Sequence, residues 1–176
     1  MAKRVIISAS PRAMGKCAHV AKDLATYMTD VFSGDEVEYL RLPDLTIHPC
    51  TGCNVCRDDE ECCIEDGMSK VMEAVNSADL LYVVAPIYFG GPSANYKAML
   101  DRFQPHYWSD TRQKPRRSAY LIAFGDGGDP YGHEALEICT RSALVVAGFE
   151  VISVNAYIGM ETSQAAEDVI RDLFES

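Results

Sequence analysis

A chain of 176 residues falls within the ~100–200 residues of one domain, and at that length about two-thirds of the unfolded surface can be buried without disulfide staples. Sixteen Lys plus Arg against 26 Asp plus Glu leave a formal charge of -10, which repels phosphate backbones and argues against nucleic acid and anionic membranes as partners. No apolar run approaches the ~20 residues of a membrane helix, and Val5-Ile6-Ile7 is too short for a signal peptide, so the expected setting is the cytoplasm. In that reducing compartment seven cysteines point to metal binding or redox work.

The elements alternate along the whole chain. Val5-Ile6-Ile7 reads as a buried strand, and Val20, Ala21, Leu24, Tyr27, Met28, Val31 and Phe32 then fall on one helical face. Residues 37–40 are mixed in polarity and suit an edge strand. Residues 43–67 have no period at all, where roughly 2–6 residues would serve as a connection. Met68, Val71, Met72 and Val75 form the next helical stripe, 80–85 a buried strand, and Tyr96, Met99, Leu100 and Phe103 another helix. A second long loop, 105–117, carries Tyr107, Trp108 and the cations Arg112, Lys114, Arg116 and Arg117. Residues 119–124 and 151–158 read as strands. They flank a helix over Ala135, Ile138, Cys139, Ser142, Val145 and Val146 that Gly148 stops. The last helix carries Ala166, Val169, Ile170, Leu173 and Phe174, with Thr162 or Ser163 as N-cap. This βαβαβαβαβα order predicts a single α/β domain over 1–176 built on a parallel sheet with right-handed crossovers.

Three strand-to-helix loops carry polar or glycine-rich sequence. Ser8 to Cys17 offers a hydroxyl at Ser10, charge at Arg12 and Lys16, and a close backbone approach at Gly15, just where helix N–H groups attract an anion. Its spacing matches neither GxxxxGK[ST] nor GxGxxG. The loop from Ala85 through Pro86, Ile87, Tyr88, Phe89 and Gly90 brings an aromatic pair, and that from Gly125 through Gly127 and Gly128 brings bare backbone N–H groups. In an open α/β sheet all three lie at the carboxyl edge, where a flat ring with polar edges and a phosphate tail would use them together.

Ser10-Pro11-Arg12 with Gly15, Cys50-x-Gly52-Cys53-x-x-Cys56, Pro86-Ile87-Tyr88-Phe89 and Lys97-Ala98-Met99-Leu100-Asp101-Arg102 resemble the NADPH-dependent FMN reductase superfamily. The cysteine loop is similar to that of the iron–sulfur flavoproteins. The resemblance implies a flavodoxin-like three-layer sandwich, with a five-stranded parallel sheet of order 2-1-3-4-5 and a cysteine-rich loop at about 43–67. It also implies non-covalent FMN. Ser10, Arg12, Gly15, Lys16 and Cys17 would cradle the phosphate. Pro86, Ile87, Tyr88, Phe89 and Gly90 would line the isoalloxazine, with Gly125, Gly127 and Gly128 near its pyrimidine edge. Many relatives carry Asn at Lys16 and Ser or Thr at Cys17, and a thiol is a weak donor, which shifts weight onto Lys16. A homodimer or homotetramer is implied too, with Tyr107 and Trp108 as contact residues.

Cys50-x2-Cys53-x2-Cys56 begins as a ferredoxin run begins, and a later cysteine would close a [4Fe–4S] site. Zinc sites more often pair two knuckles, of which only one exists here, and free or disulfide-forming thiols are the remaining alternative. Either Cys62 or adjacent Cys63 could be fourth, and the x5 spacing of the relatives favours Cys62. His48, His19 and His133 read as solvated or without a role, and Cys139 as a core residue. The implied activity is FMN-dependent transfer of electrons from NAD(P)H or a redox protein to a small-molecule or protein acceptor, through the cluster when present. The alternatives are a cluster-free flavin or quinone reductase and a flavodoxin-like carrier. The chemistry would rest on the flavin, so no catalytic side chain is expected.

Overall fold

The aliphatic runs form a twisted parallel sheet in the computed structural model, which describes residues 1–159 and 162–175. Its strands are β1 (Lys3–Ser8), β2 (Glu36–Arg41), β3 (Leu80–Tyr88), β4 (Gly91–Pro92), β5 (Arg117–Gly125) and β6 (Phe149–Ile158). The five long strands lie in the order β2-β1-β3-β5-β6, the expected 2-1-3-4-5 arrangement once the short β4 is set aside. β4 is a sixth strand that the periodicity did not show. Phe89 and Gly90 both take positive φ (51° and 73°), as the central pair of a tight hairpin requires. The chain therefore folds back so that Tyr88 pairs with Gly91 and Ile87 with Pro92.

Side chains alternate across each strand, so the sheet buries two separate faces. Val5, Ile7, Leu81 and Val83 point to one core, shared with α3 (Met68–Ser77), α4 (Ala94–Asp101) and α6 (Glu134–Val146). Ile6, Tyr82, Val84 and Ile122 point to the other, shared with α1 (Lys16–Val31) and α7 (Thr162–Phe174). Gly148 follows α6 at φ 84°, and its N–H donates to the carbonyl of Val145, so the helix stops where the glycine predicts. The N-cap side chains expected at Thr162 or Ser163 lie outside the described residues.

Neither long loop is without structure. The first holds α2 (Val55–Asp59) after a 3-10 turn at Leu42–Asp44; the second holds α5 (Gln104–Trp108) and a 3-10 turn at Asp110–Gln113. Each is about one helical turn, too short for a 3.6-residue pattern to repeat. No helix among the described residues is long and apolar enough to cross a membrane.

Candidate functional site

Because β1 pairs with β3 and β3 with β5, their carboxyl ends stand side by side and their loops meet. The N–H of Ala9 donates to the carbonyl of Val84 at 2.8 Å, and the Ser93 hydroxyl donates to the carbonyl of Ala9 at 3.1 Å, which ties the first loop to the start of α4. Ser10 is buried, and its Oγ accepts the N–H of Arg12 at 3.1 Å. That bond turns the loop outward. Gly15 then caps α1 with no side-chain cap bond, and a Cβ there would meet Arg12 Cβ at 3.2 Å. The positive end of a sixteen-residue helix therefore opens onto the loop beside Arg12 and Lys16.

The three loops enclose a cavity of about 230 Å³. Ser10, Arg12, Gly15, Lys16, Cys17, Pro86, Ile87, Tyr88 and Gly125 line it, together with Phe124 and Asp126. These last two were not singled out from sequence, although both flank Gly125. Phe89, Gly90, Gly127 and Gly128 are not on its lining. Phe89 stands fully exposed at the hairpin tip, whereas Gly90 is buried beneath the loop at 129–132 and accepts the N–H of Leu136 at 2.9 Å. Gly127 and Gly128 are exposed, with φ of 94° and 84° that leave their N–H groups free of side chains. Burial pushes the Cys17 thiol up to about 12 against the charges of Lys16 and Arg12, so it stays protonated and can only donate weakly.

A second cavity, about 170 Å³, is lined by Cys50, Cys53, Cys56, Cys62 and Cys63, all five cysteines of the loop. Gln104, Pro105 and Trp108 of α5 form its far wall, and Arg57 stacks over the Trp108 ring at 5.4 Å. Gly52 and Asn54 take positive φ to turn the chain around the thiols. The Sγ atoms of Cys53 and Cys63 lie 3.6 Å apart. Hydrogen bonding from the Val55 N–H and from Cys63 holds the Cys53 thiol below its ordinary value, while burial and the neighbouring thiols push Cys56 up. Five sulfur donors around one cavity are the donor set an iron–sulfur cluster takes. All seven cysteines are free, and among the described residues no three donors converge at the spacing of a single metal ion.

The neck of this loop is closed by a buried ion pair that the sequence reading did not single out. Arg102, just after α4, donates from Nη1 to Asp66 Oδ2 (2.9 Å) and the His48 carbonyl (2.9 Å), and from Nη2 to Asp66 Oδ1 (3.3 Å) and the Ile64 carbonyl (3.0 Å). Burial would raise the Asp66 carboxyl, but Arg102 and the N–H groups of His48 and Met68 outweigh it and hold it well below the carboxylate range. One arginine thus joins the residues just before Cys50 to those just after Cys63. A lone cation beside the apolar Met99, Leu100 and Phe103 was the available signal.

His48 is exposed, with Nδ1 at 3.2 Å from Asp66. His19 accepts or donates at the Gly15 carbonyl on the surface of α1, and His133 pairs with Glu137 at 3.8 Å. Cys139 is partly buried against the core, as read. The cation run divides: Arg112 stacks on Tyr107, Lys114 pairs with Asp110, and Arg117 donates to the carbonyls of Val75, Asn76, Ala78 and Ala147. Arg117 opens β5, at the edge of the sheet opposite the first cavity.

A flavodoxin-like α/β fold with a ligand cavity at the carboxyl edge of its sheet is the class these features define. The chain belongs to the NADPH-dependent FMN reductase family, whose model matches residues 2–163. It is 34% identical over 169 residues to an iron-sulfur flavoprotein of Methanosarcina thermophila, covering 92% of this chain and 83% of that one. It is also 33% identical over 103 residues to an iron-sulfur flavoprotein of Methanocaldococcus jannaschii, a match that spans 58% of this chain and only 52% of the relative. In fold it is similar to a protein from Streptococcus mutans (TM-score 0.74, 18% identity, 99% of this chain and 100% of that one). It is likewise similar to the apo form of an NADH:FMN oxidoreductase (TM-score 0.66, 22% identity, 98% and 84%).

Proposed function

We propose that this protein is an FMN-dependent oxidoreductase that passes electrons from a reduced donor, NAD(P)H or a redox protein, to a small-molecule or protein acceptor, by way of a [4Fe–4S] cluster. The observation that carries the reading is the meeting of three loops at one cavity with the N-terminus of α1 at its polar end. FMN, when bound, supplies the hydride and single-electron chemistry. Ser10, Arg12, Gly15, Lys16 and Cys17 hold its phosphate through backbone N–H groups and two cations. Pro86, Ile87, Tyr88, Phe89 and Gly90 bound the ring, and Gly125, Gly127 and Gly128 bring N–H groups to its edge. The volume at this edge fits the phosphate and the near part of the ring. Phe89, fully exposed, is left to close over the rest or to meet a second subunit of a homodimer or homotetramer, in which Tyr107 and Trp108 also take part.

The cluster, held by Cys50, Cys53, Cys56 and Cys62, relays single electrons. Support comes from the five thiols around one cavity and from the curated relatives, which are iron-sulfur flavoproteins. The free thiols suit a reducing cytoplasm. We take residues 1–176 to act as one domain with the cysteine loop inserted after β2. The deciding experiment is an absorption spectrum of anaerobically purified protein with flavin, iron, sulfide and zinc analysis. About four iron and four sulfide per chain beside FMN support the whole reading. Flavin without iron leaves a flavin or quinone reductase, and zinc without flavin overturns the proposal. The acidic surface also suits a flavodoxin-like carrier docking on basic partners, and steady-state turnover of NAD(P)H with a small acceptor separates that from an enzyme.

A further inference from the structure

The cysteine cavity is lined by a single charged side chain, and it is the arginine of the neck. Arg102 is 2% exposed, and both terminal nitrogens are engaged by Asp66 and the two backbone carbonyls. Its Nε–H is buried with no hydrogen-bond partner. A buried donor left bare is costly, and such groups in native proteins normally have an acceptor that completes them. Here the group on offer is sulfur: Cys62 shares the cavity with Arg102 and is among the neighbours that favour the charged guanidinium. Cys63, next in the chain, instead lies 3.6 Å from Cys53. Four thiolates and a cluster bring net negative charge into this space, and Asp66 already neutralises Arg102 on the other side of the guanidinium.

We propose that Arg102 is the cationic partner of the cluster, its Nε–H serving the sulfur at Cys62, so that it acts as a positioning residue that raises the cluster's reduction potential and makes Cys62 the fourth ligand in preference to Cys63. The proposal rests on the cluster reading above. A donor and a positive charge beside cluster sulfur stabilise the more negative, reduced state. Asp66 opposes this from the far side of the guanidinium, so the two partners of one ion pair act on the potential in opposite directions. A purely structural clamp would not do that.

The test uses full-length protein purified anaerobically, with iron and sulfide counted and the potential followed by electron paramagnetic resonance in a redox titration. Arg102→Gln is expected to lower the potential and Asp66→Asn to raise it, while Cys63→Ser keeps the iron that Cys62→Ser loses. Unshifted or same-signed potentials in the two neck variants overturn the proposal, as does iron kept by Cys62→Ser and lost from Cys63→Ser. Should Arg102→Gln hold no iron, Arg102→Lys decides. Iron regained at a lowered potential supports the proposal; iron lost again means that closing the neck accounts for Arg102, and overturns it. Wild-type protein with flavin but no iron or sulfide fails the cluster reading itself, which is distinguishable because every variant is then iron-free.

Discussion

Replacing Asp66 with alanine removes the acceptor at the centre of the neck. The carboxylate takes N–H groups from His48 (2.8 Å) and Met68 (2.9 Å) as well as the Arg102 fork, and the two side chains are 2% and 1% exposed. Breaking a buried pair by removing one partner strands a charge and costs about 3–5 kcal/mol, a large part of the ~5–15 kcal/mol that holds a domain of this size. The neighbouring residue supplies the control. Asp101 pairs with Lys97 four residues back, with both side chains nearly half exposed, and Asp101→Ala should cost about 0.3–0.5 kcal/mol. Urea unfolding of iron-free protein, read by circular dichroism, measures both. The Asp66 carboxyl is depressed below its ordinary 3.8, so its contribution is full above that pH and is lost as pH falls further, toward the depressed folded value. The Asp66→Ala variant should lack that acid slope. A loss below about 1 kcal/mol for Asp66→Ala, or one equal to that of Asp101→Ala, refutes the account of the neck.

Arg12→Ala should weaken FMN about tenfold to 150-fold at moderate salt, the equivalent of one charge-assisted contact, and an unchanged affinity by fluorescence titration would remove the phosphate role. Cys53→Ser made anaerobically should lose iron and keep flavin, because the two cavities share no lining residue; flavin lost with the iron contradicts their separation. His106 is buried with Nε2 at 2.6 Å from Asn76 Oδ1, and burial, aided by the Arg117 charge, lowers it to about 4 from 6.5. The unfolded chain therefore binds the proton first, and stability should be full above pH ~6.5 and fall by about 3 kcal/mol towards pH 4, a slope absent from His106→Gln. Light scattering at micromolar concentration should report a dimer or larger, and a monomer discards the subunit contact.

The alternation of apolar runs with helical stripes was enough to order the five long strands and to put three functional loops on one edge. Burial on both faces of a parallel sheet writes a long, repeated pattern into the chain. The cysteines were equally plain, because their chemistry depends on spacing within a dozen residues. Other features depend on what the chain meets. The Phe89–Gly90 hairpin and the single turns of α2 and α5 are too short to leave a period, and α2 and α5 pack on each other rather than on the sheet. Cys63 joins the other thiols only because α2 turns the loop back on itself. The Arg102–Asp66 pair spans 36 residues and forms because α4 carries its last turn beneath the cysteine loop. A charge on an apolar helix face announces that some partner is needed; which carboxylate answers is decided by the packing of α4 against that loop.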